Sequence, residues 1–129
     1  MTVKRLLSVE LLVLAGYEMA EASMLDAVVV SRLRRMRMKR LGTVSELVAL
    51  VDGSVCDDPG RPGRATSQDT ALALLRRAEE RAASTYAATL SAGRMSAQRE
   101  AFALRIADAQ RAIDWFDRLA VSIGVAPLA

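Results

Sequence analysis

The sequence predicts an all-α protein, a bundle of amphipathic helices, and three observations carry that expectation. Hydrophobic residues make up 52% of the chain but aromatics only 4%, so a core must come from Leu, Val, Ala and Met, which lose little rotamer freedom in helices. Two of the three prolines and three of the seven glycines fall between residues 52 and 63, leaving long stretches without the punctuation that strands and hairpins need. In those stretches apolar residues recur at helical spacing. At 129 residues the length fits one domain with a single core.

The first helix is predicted to begin at Ser8, with Glu10 close behind where the helix dipole favours a carboxylate. It runs to Arg40 and stops at Leu41-Gly42, with basic residues in its last turns. Leu7, Leu11, Leu14, Glu18, Leu25, Val29 and Met36 give it one stripe directed at a core, and Ala27-Val28-Val29-Val30 is apolar on every side. Thr43 to Val51 reads as a short second helix or as the end of a kinked longer one. Asp52 to Thr66, with Pro59-Gly60 and Pro62-Gly63, reads as a flexible linker. Ser67 caps the next helix, which runs through Leu72, Leu75, Ala78, Ala82, Tyr86 and Leu90 and ends at Ser91-Ala92-Gly93. Ser96 caps the last, with Phe102, Ile106, Ala109, Ile113, Phe116 and Ala120 on one face and Gly124 and Pro127 at its end. These two form an antiparallel hairpin. A four-helix bundle then requires either a break in the first helix or dimerisation of helical hairpins.

Composition narrows the chemistry. The chain has no histidine, which removes the usual general base and the commonest transition-metal ligand. The lone Cys56 cannot form an intrachain disulfide and suits a reducing compartment. The basic, apolar N-terminus lacks a convincing cleavage site, and no apolar run of about 18 residues exists, so a cytoplasmic protein without a membrane span is expected.

Three features are candidate sites. Glu18, Glu21 and Glu79, with Asp117 beside them, are carboxylates at or near core-facing positions, the residue type a bundle uses to hold a hard cation such as iron; the competing reading pairs them with arginine. The run Arg32 to Arg40 could engage phosphates of nucleic acid, but Leu33, Met36 and Met38 interleave it and the net charge is only +3, so a solvated, ion-paired face is preferred. Tyr17, Trp115 and Arg34 could join in a slot for a planar cofactor such as a flavin, against the plainer reading of aromatics as core.

Gly16-Tyr17-Glu18-Met19-Ala20-Glu21-Ala22, the segment Leu74 to Leu90, and Asp114-Trp115-Phe116 together resemble small ferritin-like bundle proteins of unknown function. The resemblance implies a ferritin-like fold. Ferroxidases of that superfamily use Glu-x-x-His pairs, and without histidine the resemblance argues against a standard di-iron oxidase. Small helical flavoproteins associated with encapsulin shells are a precedent for flavin binding without a sheet, and Ser122 to Ala129 resembles their cargo tails, although a frayed helix end accounts for it equally. The leading expectation is a non-catalytic binding or scaffold bundle that forms homo-oligomers, with a protein partner a further option. The rivals are an iron- or flavin-linked redox protein and a nucleic-acid or regulatory binder.

Overall fold

The computed structural model describes residues 2–51 and 66–124. They form a bundle of four helices, α1 (Thr2–Ser23), α2 (Ala27–Leu50), α3 (Gln68–Ser91) and α4 (Arg99–Ser122), with a 3₁₀ turn (Ser96–Gln98) before α4. The described residues contain no strand, and no described helix is long and apolar enough to cross a membrane. The linker expected at 52–66, except for Thr66, and most of the C-terminal tail lie outside the described residues.

The single first helix predicted from Ser8 to Arg40 is two helices. The chain is already helical at Thr2, and Ser8 lies inside α1 rather than capping it. The break comes at Met24-Leu25-Asp26, where Asp26 takes an extended conformation and its Oδ1 accepts a hydrogen bond from the Val28 amide at 2.8 Å. That cap satisfies one of the free amides that open α2. Gly42 does not stop the helix. It is exposed in mid-helix, and α2 continues through Thr43 to Leu50, which absorbs the short separate helix.

α1 rises, and α2 returns beside it. α3 starts next to the top of α1, where the Thr66 amide donates to Ser23 Oγ at 3.0 Å and the Leu25 amide to Gln68 Oε1 at 3.3 Å. It then descends antiparallel to α1, and α4 rises again. The order is therefore up, down, down, up, and the connection from Val51 to Thr66 joins opposite ends of the bundle. α1 and α3 approach most closely at Gly16, where a Cβ atom would lie 3.1 Å from Leu75 Cδ1. α3 ends in a Schellman motif: Gly93 at φ 69° donates to the Leu90 carbonyl, and Arg94 to that of Thr89.

Extensive backbone contact joins α1 to α2, α1 to α3 and α3 to α4. α2 and α4 face each other across a cleft bridged by side chains: Arg32 lies 4.2 Å over the Trp115 ring, Lys39 pairs with Asp108 at 3.2 Å, and Arg105 pairs with Glu46. The core divides into an upper cluster around Val13, Tyr17, Leu72, Leu75 and Phe116 and a lower one around Leu6, Leu47, Tyr86 and Phe102. Between these clusters lies a charged layer.

Candidate functional site: a buried charge cluster under an interhelical cleft

The inward face of α1 is the line Leu6, Glu10, Val13, Tyr17 and Ala20, continued by Met24 in the break that follows, all buried, a spacing of four and three residues that keeps one side of a helix. This line is one position away from the predicted stripe, which rotates the helix by roughly 100°. Glu18 is consequently exposed, Leu25 is 88% exposed, and Glu10 takes the core position expected of Glu18. Glu10 and Glu79 are each fully buried.

Arg40, from α2, reaches between them. Its Nε donates to Glu10 Oε2 at 2.9 Å and its Nη2 to Glu10 Oε1 at 2.5 Å, a bidentate pair, while Nη1 donates to Glu79 Oε1. The Tyr17 hydroxyl completes the cluster by donating to Glu79 Oε2 at 2.7 Å. Three helices thus contribute to one hydrogen-bonded cluster, as the cost of burying charge requires. With both acids ionised, two carboxylates face one guanidinium and the cluster carries a net charge of −1.

Burial pushes the Glu79 carboxyl above the usual range, and Arg40 and Tyr17 reverse only part of that rise. Burial also raises the Tyr17 phenol, helped by repulsion from the Glu79 carboxylate. For Arg40 burial works the other way, but the bonds and charges of Glu10 and Glu79 outweigh it and keep the guanidinium charged. One layer below, the buried Tyr86 hydroxyl has no hydrogen-bond partner within bonding geometry among the described residues, although the Arg105 guanidinium lies 5.7 Å from its ring centroid and acts against the upward push of burial on the phenol.

The α2–α4 cleft opens onto this cluster as a cavity of about 280 Å³, with Tyr17, Arg40 and Glu79 at its floor. Arg32, Lys39, Asp108 and Arg111 form its rim, with Met36 and Ala112 also lining it. Burial alone would raise Asp108, but Lys39 and Arg111 hold it below the usual carboxylate range.

The structure separates the predicted cation ligands. Of Glu18, Glu21 and Glu79, only Glu79 faces the interior cluster. Glu21 is bound by Arg37 Nε at 2.6 Å and Arg34 Nε at 3.4 Å, and Glu18 is exposed. Asp117 pairs with Arg76 across α3 and α4 at 2.9 Å. Among the described residues no group of three or more acidic or cysteine side chains is placed to hold a metal ion. Of the predicted cofactor residues, Tyr17 and Trp115 both pack on Phe116, with ring centroids 6.1 and 5.7 Å away. Arg34 does not join them, because it is held by Glu21 and Arg32 stacks on Trp115 instead. Most of the basic run is internally paired: Arg34 and Arg37 with Glu21, Lys39 with Asp108, and Arg40 with Glu10 and Glu79.

The sequence reading missed Glu10 and Arg40. A signal for Arg40 exists in the spacing Leu33, Met36, Arg40, Val44 and Leu47, which puts one cation of six on the apolar line of α2. No protein-family model, curated protein or solved structure matches this chain, so its site is read from its own geometry.

Proposed function

We propose that this chain is a non-catalytic helical-bundle binding protein that acts as a homo-oligomer and takes a small molecule in the α2–α4 cleft. The observation that supports this reading is the cleft itself, whose floor groups are already bonded to one another. Tyr17, Arg40 and Glu79 form a fixed, polar, desolvated surface, suited to orienting a ligand. None of them has the free partner of an activated nucleophile or base. The homo-oligomer reading draws on the outer face of α2, where Met38, Leu41 and Val48 are exposed at heptad-like spacing.

Trp115, the chain's single tryptophan, lies under Arg32 of the cleft rim and supplies the readout. A panel of small organic fragments is titrated against the protein and against Ala112→Phe, which fills the cleft. Quenching or a spectral shift seen in the wild type and lost in Ala112→Phe is expected. A panel that leaves both proteins unchanged, or acts equally on both, overturns the cleft reading. Sedimentation equilibrium of the wild type and of Met38→Glu tests the assembly: a monomeric wild type removes the oligomer.

A redox reading draws on one specific observation, the convergence of Glu10, Glu79 and Tyr17 from facing helices, together with the up-down-down-up order and single long connection found in ferritin-like bundles. A metal ion would have to displace Arg40 from both carboxylates. Absorption spectra before and after adding ferrous iron in air separate the two: flavin bands, or a ferric-carboxylate shoulder forming faster than in buffer, favour redox chemistry.

A further inference from the structure

A second cavity lies on the other side of the bundle, away from the α2–α4 cleft. It is an open groove of about 480 Å³ between α1 and the C-terminal half of α3, lined by Arg5, Arg81, Ser84, Thr85, Thr89 and Arg94 together with two alanines. Three of these residues are arginines and none is acidic. The first turn of α1, next to Arg5, has no acidic residue either. Outside the groove, Arg34, Arg37, Arg40, Arg76, Arg105 and Arg111 hold carboxylates, while Arg32, Arg35, Arg77, Arg99 and Arg118 bond no acid among the described residues but line no shared groove with one another. The guanidinium groups of Arg5 and Arg81 bond no acid among the described residues, although they share a groove in which like charges repel. The Thr85 and Thr89 hydroxyls already donate to backbone carbonyls, at 2.8 and 2.9 Å. Among the described residues, the donors in the groove without an acid or carbonyl partner are therefore the guanidinium groups of Arg5 and Arg81 and the Ser84 hydroxyl.

We propose that this groove is an anion site for a small, multiply charged phosphate compound. A guanidinium presents parallel N–H donors matched to two oxygens of a phosphate, which makes arginine the preferred residue for that group. Two or more arginines around one concavity suit a diphosphate or triphosphate better than a single phosphate, because each further phosphoryl group gives another guanidinium a partner. The volume is that of a small-molecule site. The basic run Arg32 to Arg40, the more conspicuous feature in the sequence, is mostly bound to the protein's own acids, so phosphate recognition falls to cations that lie far apart in the sequence.

The test is isothermal titration calorimetry with inorganic pyrophosphate at low ionic strength, with inorganic phosphate and a short single-stranded RNA as comparisons. Pyrophosphate is expected to bind more tightly than phosphate and to weaken steeply as salt is added. Arg81→Gln and Arg5→Gln should each weaken it by about tenfold, the loss of a hydrogen-bonded charge pair. Arg118→Gln, in α4 outside the groove, should leave it unchanged. Arg5 and Arg81 are exposed, so thermal unfolding of the variants should match the wild type. Absence of pyrophosphate binding, or wild-type affinity in both groove variants, overturns the proposal. So does tight RNA binding with none for pyrophosphate, which would assign the groove to nucleic acid.

Discussion

Replacing Arg40 by Met removes the single cation from a layer in which Glu10 and Glu79 are both fully buried. Methionine keeps much of the aliphatic stem, so the loss is chiefly of charge and of three donated hydrogen bonds. Two carboxylates then face each other without compensation. Breaking a buried pair by deleting one partner costs roughly 3–5 kcal/mol, a large part of the 5–15 kcal/mol that a domain of this kind has in all. For a chain of this length the corresponding fall in Tm is about 10–20 °C. The variant should recover as pH falls from neutral into the acidic range, because Glu79, already shifted upward by burial, takes up a proton and the repulsion disappears. Adding Glu10→Gln and Glu79→Gln should restore most of the lost stability at neutral pH, since the two amides can hydrogen-bond without charge. The assay is urea unfolding followed by circular dichroism at neutral and acidic pH, with the slope monitored for a change in the denatured state. An Arg40→Met protein within about 1 kcal/mol of wild type at neutral pH would refute the reasoning, because it would mean that the carboxylates reach water.

The two buried tyrosines make a matched pair. Tyr17→Phe strips Glu79 Oε2 of its donor and should cost about 1–3 kcal/mol, whereas Tyr86→Phe removes a hydroxyl with no partner among the described residues and should be neutral or stabilising by up to about 1 kcal/mol; equal effects in denaturant melts would contradict the assigned bonding. Glu79 gives a pH dependence of definite sign. Its folded pKa lies above the unfolded one, so its contribution improves as pH falls through the folded value and levels off below the unfolded value near 4.5. In Glu79→Gln that slope on the pH–stability curve should vanish, and an unaltered slope would locate the proton elsewhere. Asp26→Ala deletes the cap of α2 and should cost about 1 kcal/mol, with amide exchange speeding up first at Val28; unchanged exchange there would show that the turn holds without its cap.

Why α3 and α4 are legible in the sequence and α1 is not follows from their composition. In α3 and α4 the polar residues are numerous enough to mark one face, and the predicted lines through Leu72, Leu75, Ala82 and Tyr86 and through Phe102, Ala109, Phe116 and Ala120 are buried. The same periodicity directs Glu79 inward, where it is buried. α1 is apolar on most sides, so the lines Leu7-Leu11-Leu14-Glu18 and Leu6-Glu10-Val13-Tyr17 both satisfy helical spacing. A sequence cannot choose between them, because the choice depends on which face α2 and α3 cover. Leu7 and Leu14 are indeed buried, but on the flank of the helix.

Selecting the second line also requires a partner for Glu10, and that partner is 30 residues away. An acid in the middle of an apolar helix is costly unless a cation arrives from another element, so Glu10 implies an inward arginine. The run Arg32 to Arg40 offers six cations, and only the one in line with Leu33 and Leu47 can reach inside. Glu10 and Arg40 thus define each other, although each alone has a plain surface explanation: Glu10 as a favourable charge early in a helix, Arg40 as one of a solvated basic run. The break at Asp26 is what makes the pairing possible. It folds α2 back along α1, bringing Arg40 beside Glu10, which a continuous helix from residue 8 to 40 would hold about 45 Å apart.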